Sequence, residues 1–454
     1  MFWKKSIAVV ALSAMLAMSY VVFAIGAVSP EEVAKLGGTE LTAFGAERAG
    51  NKDGTIPEYT GGLTTPPKNY KKGSGIRPDP FAGETPLFNI NASNMGDYAD
   101  KLTEGTKALM KKYSSFSINV YKTHRTVAYP KVVLDDTKKN AVNVKLLAGG
   151  NSISGAHAMI PFPIPKNGYE VMWNHLTRYE GLPSESVATA WNIDSNGKRV
   201  LVAKGVFWQD YPYYENRKND EAMYFRLRCD WTGPPRLAGL VVVLKDPLNM
   251  ADRGRVAYQY LPGQRRVKLA PELAFDTPNP SSAGVMTYDD TFVFNGSLER
   301  YNWKLIGKKE VFVPYNAYTA VYIAKADDLF KQKHLNPDLV RWELHRVWVV
   351  EATLKPNKRH IYHKRTFYVD EDSWAALTAE NYDARGQMYK VAFSHQSPHY
   401  DMPAPASVFQ AFYDLVGSNY GINPWYGDGG YLKGIPQLSD NFWSFQSLAG
   451  RGVR

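Results

Sequence analysis

The chain holds one cysteine, Cys229, among 454 residues. A single thiol excludes an intramolecular disulfide and a thiolate zinc cluster, and a chain this long can bury enough surface to fold without either. Also missing are a Gly-rich phosphate loop, a Gly-x-Ser-x-Gly elbow and a His-Glu-x-x-His helix, so nucleotide, serine-hydrolase and zincin chemistries have no anchor. There is no repeat of fixed period and no low-complexity tract, which disfavours solenoids and propellers.

No acidic residue precedes Glu31. Before it, Lys4 and Lys5 are followed by an almost wholly apolar or small run from Ile7 to Ala27, broken by Ser13 and Ser19. Ala24, Gly26 and Ala27 offer a signal-peptidase site. Charge, apolar core and small-residue exit predict a cleaved signal peptide over residues 1–27, and hence a periplasmic protein, peripheral at most to the outer membrane. An uncleaved anchor is the rival, but no basic stop-transfer cluster follows. Export argues against a nucleic-acid partner for the surplus charge of +10, leaving anionic head groups or plain solubility.

What is abundant is aromatic: 29 Tyr, 20 Phe and 11 Trp, a composition suited to sheets and ligand-lining surfaces. Residues 28–90 read as a Gly/Pro-rich extension packed on the body. It opens with a helix start in which Ser29 is the N-cap, Pro30 the first helical residue and Glu32 the partner in a capping box. Residues 91–454 read as one domain. Within it the periodicity predicts helices over 94–113 and 167–180, the second stopped by Gly181. After Gly181, segments rich in Val, Tyr, Trp, Phe and Thr are separated by turn signals at 194–197, 233–235, 295–296 and 356–357, the pattern of a large antiparallel meander.

Two of these segments alternate cleanly. Met223, Phe225, Leu227, Cys229 and Trp231 share one face, with Tyr224, Arg226, Arg228 and Asp230 on the other. In 341–354, Trp342, Leu344, Trp348, Val350 and Leu354 share a face interrupted by Arg346. Residues 237–244 are apolar on both faces, as in a strand covered on both sides. Such faces are core unless the sheet is incompletely filled, in which case they line a cavity for an apolar ligand. The cavity candidates are therefore Met223, Phe225, Leu227, Trp231, Trp342, Leu344 and Trp348. Arg346 is expected in an internal ion pair or, as the alternative, near an anionic head group at the mouth.

Polar groups give no catalytic or metal assignment. His395, His399 and Asp401 have ligand-like spacing, but Pro398 forbids the helix that aligns such a pair. His360 and His363, three apart in a predicted strand, point to opposite faces. His124 reads as a hydrogen-bonded structural histidine, and 150–155 as a loop. Asp289 with Asp290, and Glu371 between Asp370 and Asp372, read as solvated turn acids. No cofactor is expected.

Several blocks carry a resemblance: Gly45-Ala46-Glu47 with Gly54-Thr55-Ile56-Pro57, Tyr98 to Gly105, Leu261 to Val267, Phe294 to Tyr301, and Trp342 to Glu351. Together they resemble a proteobacterial domain-of-unknown-function family, number 1329, labelled outer-membrane lipoprotein-sorting protein and related to the LolA and LolB carriers. The resemblance implies a mainly β (α+β) fold: a large curved antiparallel sheet forming an unclosed, LolA-like half-barrel with helices capping its concave face. It also implies lipid or lipid-like cargo, with an efflux-type inner-membrane transporter and an outer-membrane protein as partners. The expected function is a periplasmic carrier or chaperone that moves apolar cargo between envelope membranes. The alternatives are a structural adaptor of an export complex without cargo, and an envelope hydrolase.

Overall fold

The computed structural model describes residues 28–181, 183–215 and 222–449; the expected signal segment lies outside the described residues. Strands β1 (Phe88–Ile90) and β2 (Ile118–Val120) pair with each other, and β3 (Lys145–Leu147) with β4 (Ser152–Ser154) forms a separate hairpin. The long strands come in two runs. The first is β5 (Ser184–Ile193), β6 (Arg199–Asp210), β7 (Met223–Gly233), β8 (Val241–Pro247), β9 (Val256–Leu261) and β10 (Arg266–Leu269). The second is β11 (Tyr301–Pro314), β12 (Arg341–Leu354), β13 (Lys364–Asp370), β14 (Ala376–Tyr382), β15 (Met388–Gln396), β16 (Ser407–Asp414), β17 (Asn419–Trp425) and β18 (Tyr431–Gly434).

Turn chemistry cuts these strands where the sequence indicates. Between β5 and β6 the Asp194 carboxylate accepts the N–H groups of Asn196 and Lys198, and Gly197 takes φ +85°. Beyond β12, Asn357 turns the chain at φ +68°. β5–β10 and β11–β17 are antiparallel meanders, and β17 pairs with β5, Ile422 opposite Trp191, to fuse them, with β18 pairing antiparallel along the other half of β5. The result is a mostly β, 16-stranded sheet, mixed through the parallel pairing of β2 with β12 and not closed into a barrel.

Helices are few and short: α1 (Pro30–Val33), α2 (Glu104–Lys112), α3 (Lys131–Asn140), α4 (Gly168–Leu176), α5 (Ala326–Leu329) and α6 (Phe445–Ala449). Ser29 and Glu32 form the capping box of α1. The helix expected over 94–113 is instead a 3-10 turn at Met95–Tyr98 followed by α2, because the Thr103 hydroxyl accepts the Thr106 N–H and starts a new helix. α4 stops well short of Gly181; the side chains of Thr177 and Arg178 take the carbonyls of Trp173 and His175. Among the described residues no helix is long and apolar enough to cross a membrane.

Both faces of the second run are covered. One carries Val391, Phe393, Ala411, Tyr413, Tyr420 and Ile422 and meets Leu109 and Met110 of α2; Gly105 sits so close to Val391 that a Cβ would lie 2.7 Å from it. The opposite face carries Ala379, Ala392 and Phe412, in one core with Val285, Phe294 and α4. The N-terminal coil lies against this body. Gly45 and Gly62, both at positive φ, approach the Pro163 and Val127 carbonyls where a Cβ would clash at 1.9 and 2.1 Å.

The C-terminal segment covers the polar face of β7. Trp443 is fully buried with the Arg226 guanidinium 5.3 Å from its ring, and Phe442 stands 4.3 Å from that of Arg228. Leu448 closes over Val241, Val243 and Tyr260. Trp443→Ala is expected to cost about 3–5 kcal/mol, as for other deletions of a buried Trp. Urea unfolding checks this; a loss below about 1 kcal/mol would show that the segment does not seal the sheet.

Candidate functional site: an apolar slot on the first run

The face of β6–β8 opposite Trp443 is apolar. Phe207 pairs with Cys229 and Cys229 with Val242, while Leu227 pairs with Leu244, so these side chains stand in rows on one side. Trp231 meets Phe207 edge to face, ring centroids 5.0 Å apart. Beside them β5 and β6 carry the small residues Ser186, Ala188, Ala190, Ala203 and Gly205, which leaves the surface recessed. Leu237 and Leu240 from the turn after β7, with Pro280, Met286, Tyr288 and Phe292, form a roof. Gln410, Asn423, Pro424 and Tyr426 close the side next to the second run. The empty space, its open mouth included, is about 870 Å³. Little of it lets a water molecule move freely, so the shape is a slot.

Of the cavity candidates, Leu227 and Trp231 line this slot. Phe225 sits one wall away, against Tyr211 and Phe292 at 5.6 and 5.7 Å, and Met223 is buried opposite Pro247. The β12 residues are elsewhere. Trp342 and Leu344 are core, Trp342 against Phe393 at 5.3 Å, and Trp348 lies between Trp374 and the Lys308 ammonium. Arg346 gives its guanidinium to Glu371 at 2.8 Å and to the Ala49 carbonyl at 2.5 Å, with Glu47 and Glu310 nearby. Its guanidinium is thus ion-paired inside the protein.

Several lining residues escaped the sequence reading. The apolar 237–244 run was the one signal, but β8 begins at Val241 and the preceding residues are the roof turn, not strand. Residues 279–292 carry no periodicity, because 3-10 turns and coil form that part of the roof.

Most of the polar candidates lie inside the protein. The Asp401 carboxylate accepts the Arg77 guanidinium at 2.7 and 3.1 Å and the Tyr70 hydroxyl at 2.6 Å. His399 meets the Tyr322 hydroxyl at 3.3 Å, and His395 stacks on Phe409 at 4.3 Å. No His, Cys, Asp or Glu group that could hold a metal occurs among the described residues. His360 and His363 precede β13 in irregular backbone, contrary to the expected strand, and His360 reaches Asp289 at 3.0 Å. His124 reaches Glu84 at 2.7 Å and stacks on Phe81.

The turn acids are buried, not solvated. Arg365 meets Asp289 at 3.2 Å and Asp290 at 2.8 Å, and Tyr362 adds a hydroxyl to Asp290. Arg125 holds Asp372 through two bonds of 2.6 and 2.9 Å, while Asp370 accepts from Ser373 and Tyr315. A buried carboxylate survives only when paired in this way, which a turn signal in the sequence does not reveal.

Fold and site together define the class: a mostly β protein whose unclosed sheet keeps an apolar slot under a roof of turns. The chain belongs to the DUF1329 family of proteins of unknown function, whose model matches residues 89–449. It is 43% identical over 412 residues to an uncharacterised protein of Pseudomonas aeruginosa, spanning 87% of this chain and 88% of that one. Two solved structures are also similar. One, a putative outer membrane lipoprotein-sorting protein domain from Vibrio parahaemolyticus, is 16% identical with a TM-score of 0.42, over 62% of this chain and 98% of that one. The other, a LolA superfamily protein from Nitrosomonas europaea, is 11% identical with a TM-score of 0.37, over 62% of this chain and all of that one.

Burial holds the His175 and His395 imidazoles neutral, pushing both down to about 3 from an ordinary 6.5. The unfolded chain protonates these rings below about 6.5 and the folded one does not, so stability falls as pH drops through that window. His395→Leu is expected to remove about 2 kcal/mol of the wild-type loss between pH 7 and pH 5. Chemical denaturation at the two pH values measures the difference; identical acid-side losses would refute it.

Proposed function

We propose that this protein is a periplasmic carrier or chaperone that holds a lipid-like or other apolar cargo in the slot and passes it between envelope membranes. In this reading an efflux-type inner-membrane transporter and an outer-membrane protein are its partners. The observation that carries it is the row of Phe207, Leu227, Cys229, Trp231, Val242 and Leu244 left beside an unfilled apolar space. Burying an acyl chain returns about 0.8 kcal/mol per methylene, which supplies affinity without bond chemistry. Release then needs only a partner that offers the same burial. The export signal read in residues 1–27 supports the location.

Cys229 is a built-in reporter. It is the sole cysteine, it lines the slot, and burial raises its thiol well above the ordinary range, so alkylation is slow even in the open state. Protein purified from its native envelope is expected to yield an apolar compound on organic extraction. After delipidation, N-ethylmaleimide is expected to modify Cys229 at least about tenfold faster than in the loaded protein. Folded protein with no co-purified compound and an unchanged alkylation rate would replace the carrier with the adaptor.

A further inference from the structure

The slot also specifies the chemistry of what enters it. In a chain with 54 Lys and Arg and 44 Asp and Glu, the described residues lining the slot include no ionisable Lys, Arg, His, Asp or Glu. Its polar side chains are amides and hydroxyls, chiefly Gln209, Gln259, Gln410, Asn279 and Asn423. Two of these amides retain hydrogen-bonding capacity. The Gln209 oxygen accepts the Tyr211 hydroxyl at 2.9 Å, while its NH₂ meets no acceptor among the described residues. Gln259, between Val242 and Lys268 in the ladder, makes no side-chain hydrogen bond among them.

Beyond Gln209 lies a smaller cleft bounded by Phe292, Tyr426, Glu180 and His399. Its charge is cancelled too. Glu180 is ion-paired with Arg178, and burial beside Arg77 keeps the His399 ring neutral.

We infer that the cargo is an uncharged amphiphile: an apolar body bearing ester, amide or hydroxyl groups whose oxygens accept from the Gln209 and Gln259 amides. A carboxylate or phosphate drawn into this slot would lose its water and find no counter-ion, a penalty that one or two amide bonds do not offset. A neutral carbonyl or hydroxyl loses far less and can accept from these amides. This inference rests on the carrier reading and narrows it to a class of compound.

The test is isothermal titration of the delipidated mature protein with decanamide, monodecanoylglycerol, decanoate and decyl phosphate, each below its micelle concentration. The four share an alkyl chain and differ in charge. The two neutral compounds are expected to bind at least about tenfold more tightly than the two anions. Gln259→Lys is expected to reverse the order, favouring decanoate over decanamide, and Gln259→Leu to weaken decanamide by about three- to tenfold. Circular dichroism establishes that each variant is folded. Anions that bind the wild type as well as the neutral compounds would overturn the inference and leave the carrier standing. Folded wild type that binds none of the four would overturn both.

Discussion

The structure depends on one seam, the pairing of β17 with β5. It sets Tyr420 opposite Ile193 and Ile422 opposite Trp191, and so welds two meanders distant in sequence into one sheet. Side chains in a sheet alternate, so the register at this seam decides which face of the first run is continuous with which face of the second. With the observed register, Gln410 and Asn423 stand beside the Phe207–Cys229–Val242 row and close the slot. A slip of one residue would put that row on the sheet face away from Gln410 and Asn423.

An open sheet of this size has two faces to bury, and the chain covers both. α2 and the 318–330 segment cover one side of the second run, while α4 and the 285–298 segment cover the other. The C-terminal segment and the roof turns do the same for the first run. This double cover encloses charged residues that a one-sided sheet would expose to water. Arg365 with Asp289 and Asp290, Arg125 with Asp372, Arg346 with Glu371, and Arg77 with Asp401 are the result. Each guanidinium satisfies a carboxylate that would otherwise be costly to bury, and such pairs add specificity more than net stability. Because these charges are concentrated elsewhere, the slot is left uncharged.

Turn residues and alternation were legible in the chain. The Asp194–Gly197 hairpin, the strand around Cys229 and the capping box at Ser29 are local events, governed by contacts within a few residues. Thr103 shows the limit of such reading. Its hydroxyl restarts a helix that side-chain spacing alone extends from residue 94. Arg346 shows another limit, since its partner Glu371 lies in the turn that follows β13.

The sequence by itself determined that this is a mostly β chain, that its long strands follow Gly181, and that Leu227 and Trp231 share an apolar face with Cys229. These follow from backbone sterics and two-residue alternation, which operate within a strand. Only the tertiary structure decided which apolar faces meet a space and which meet other side chains. Trp342 and Trp231 have the same local pattern, yet one packs on Phe393 and the other borders the slot. Occupancy depends on what the rest of the chain brings to a face, and that is set by long-range pairing that no local pattern encodes.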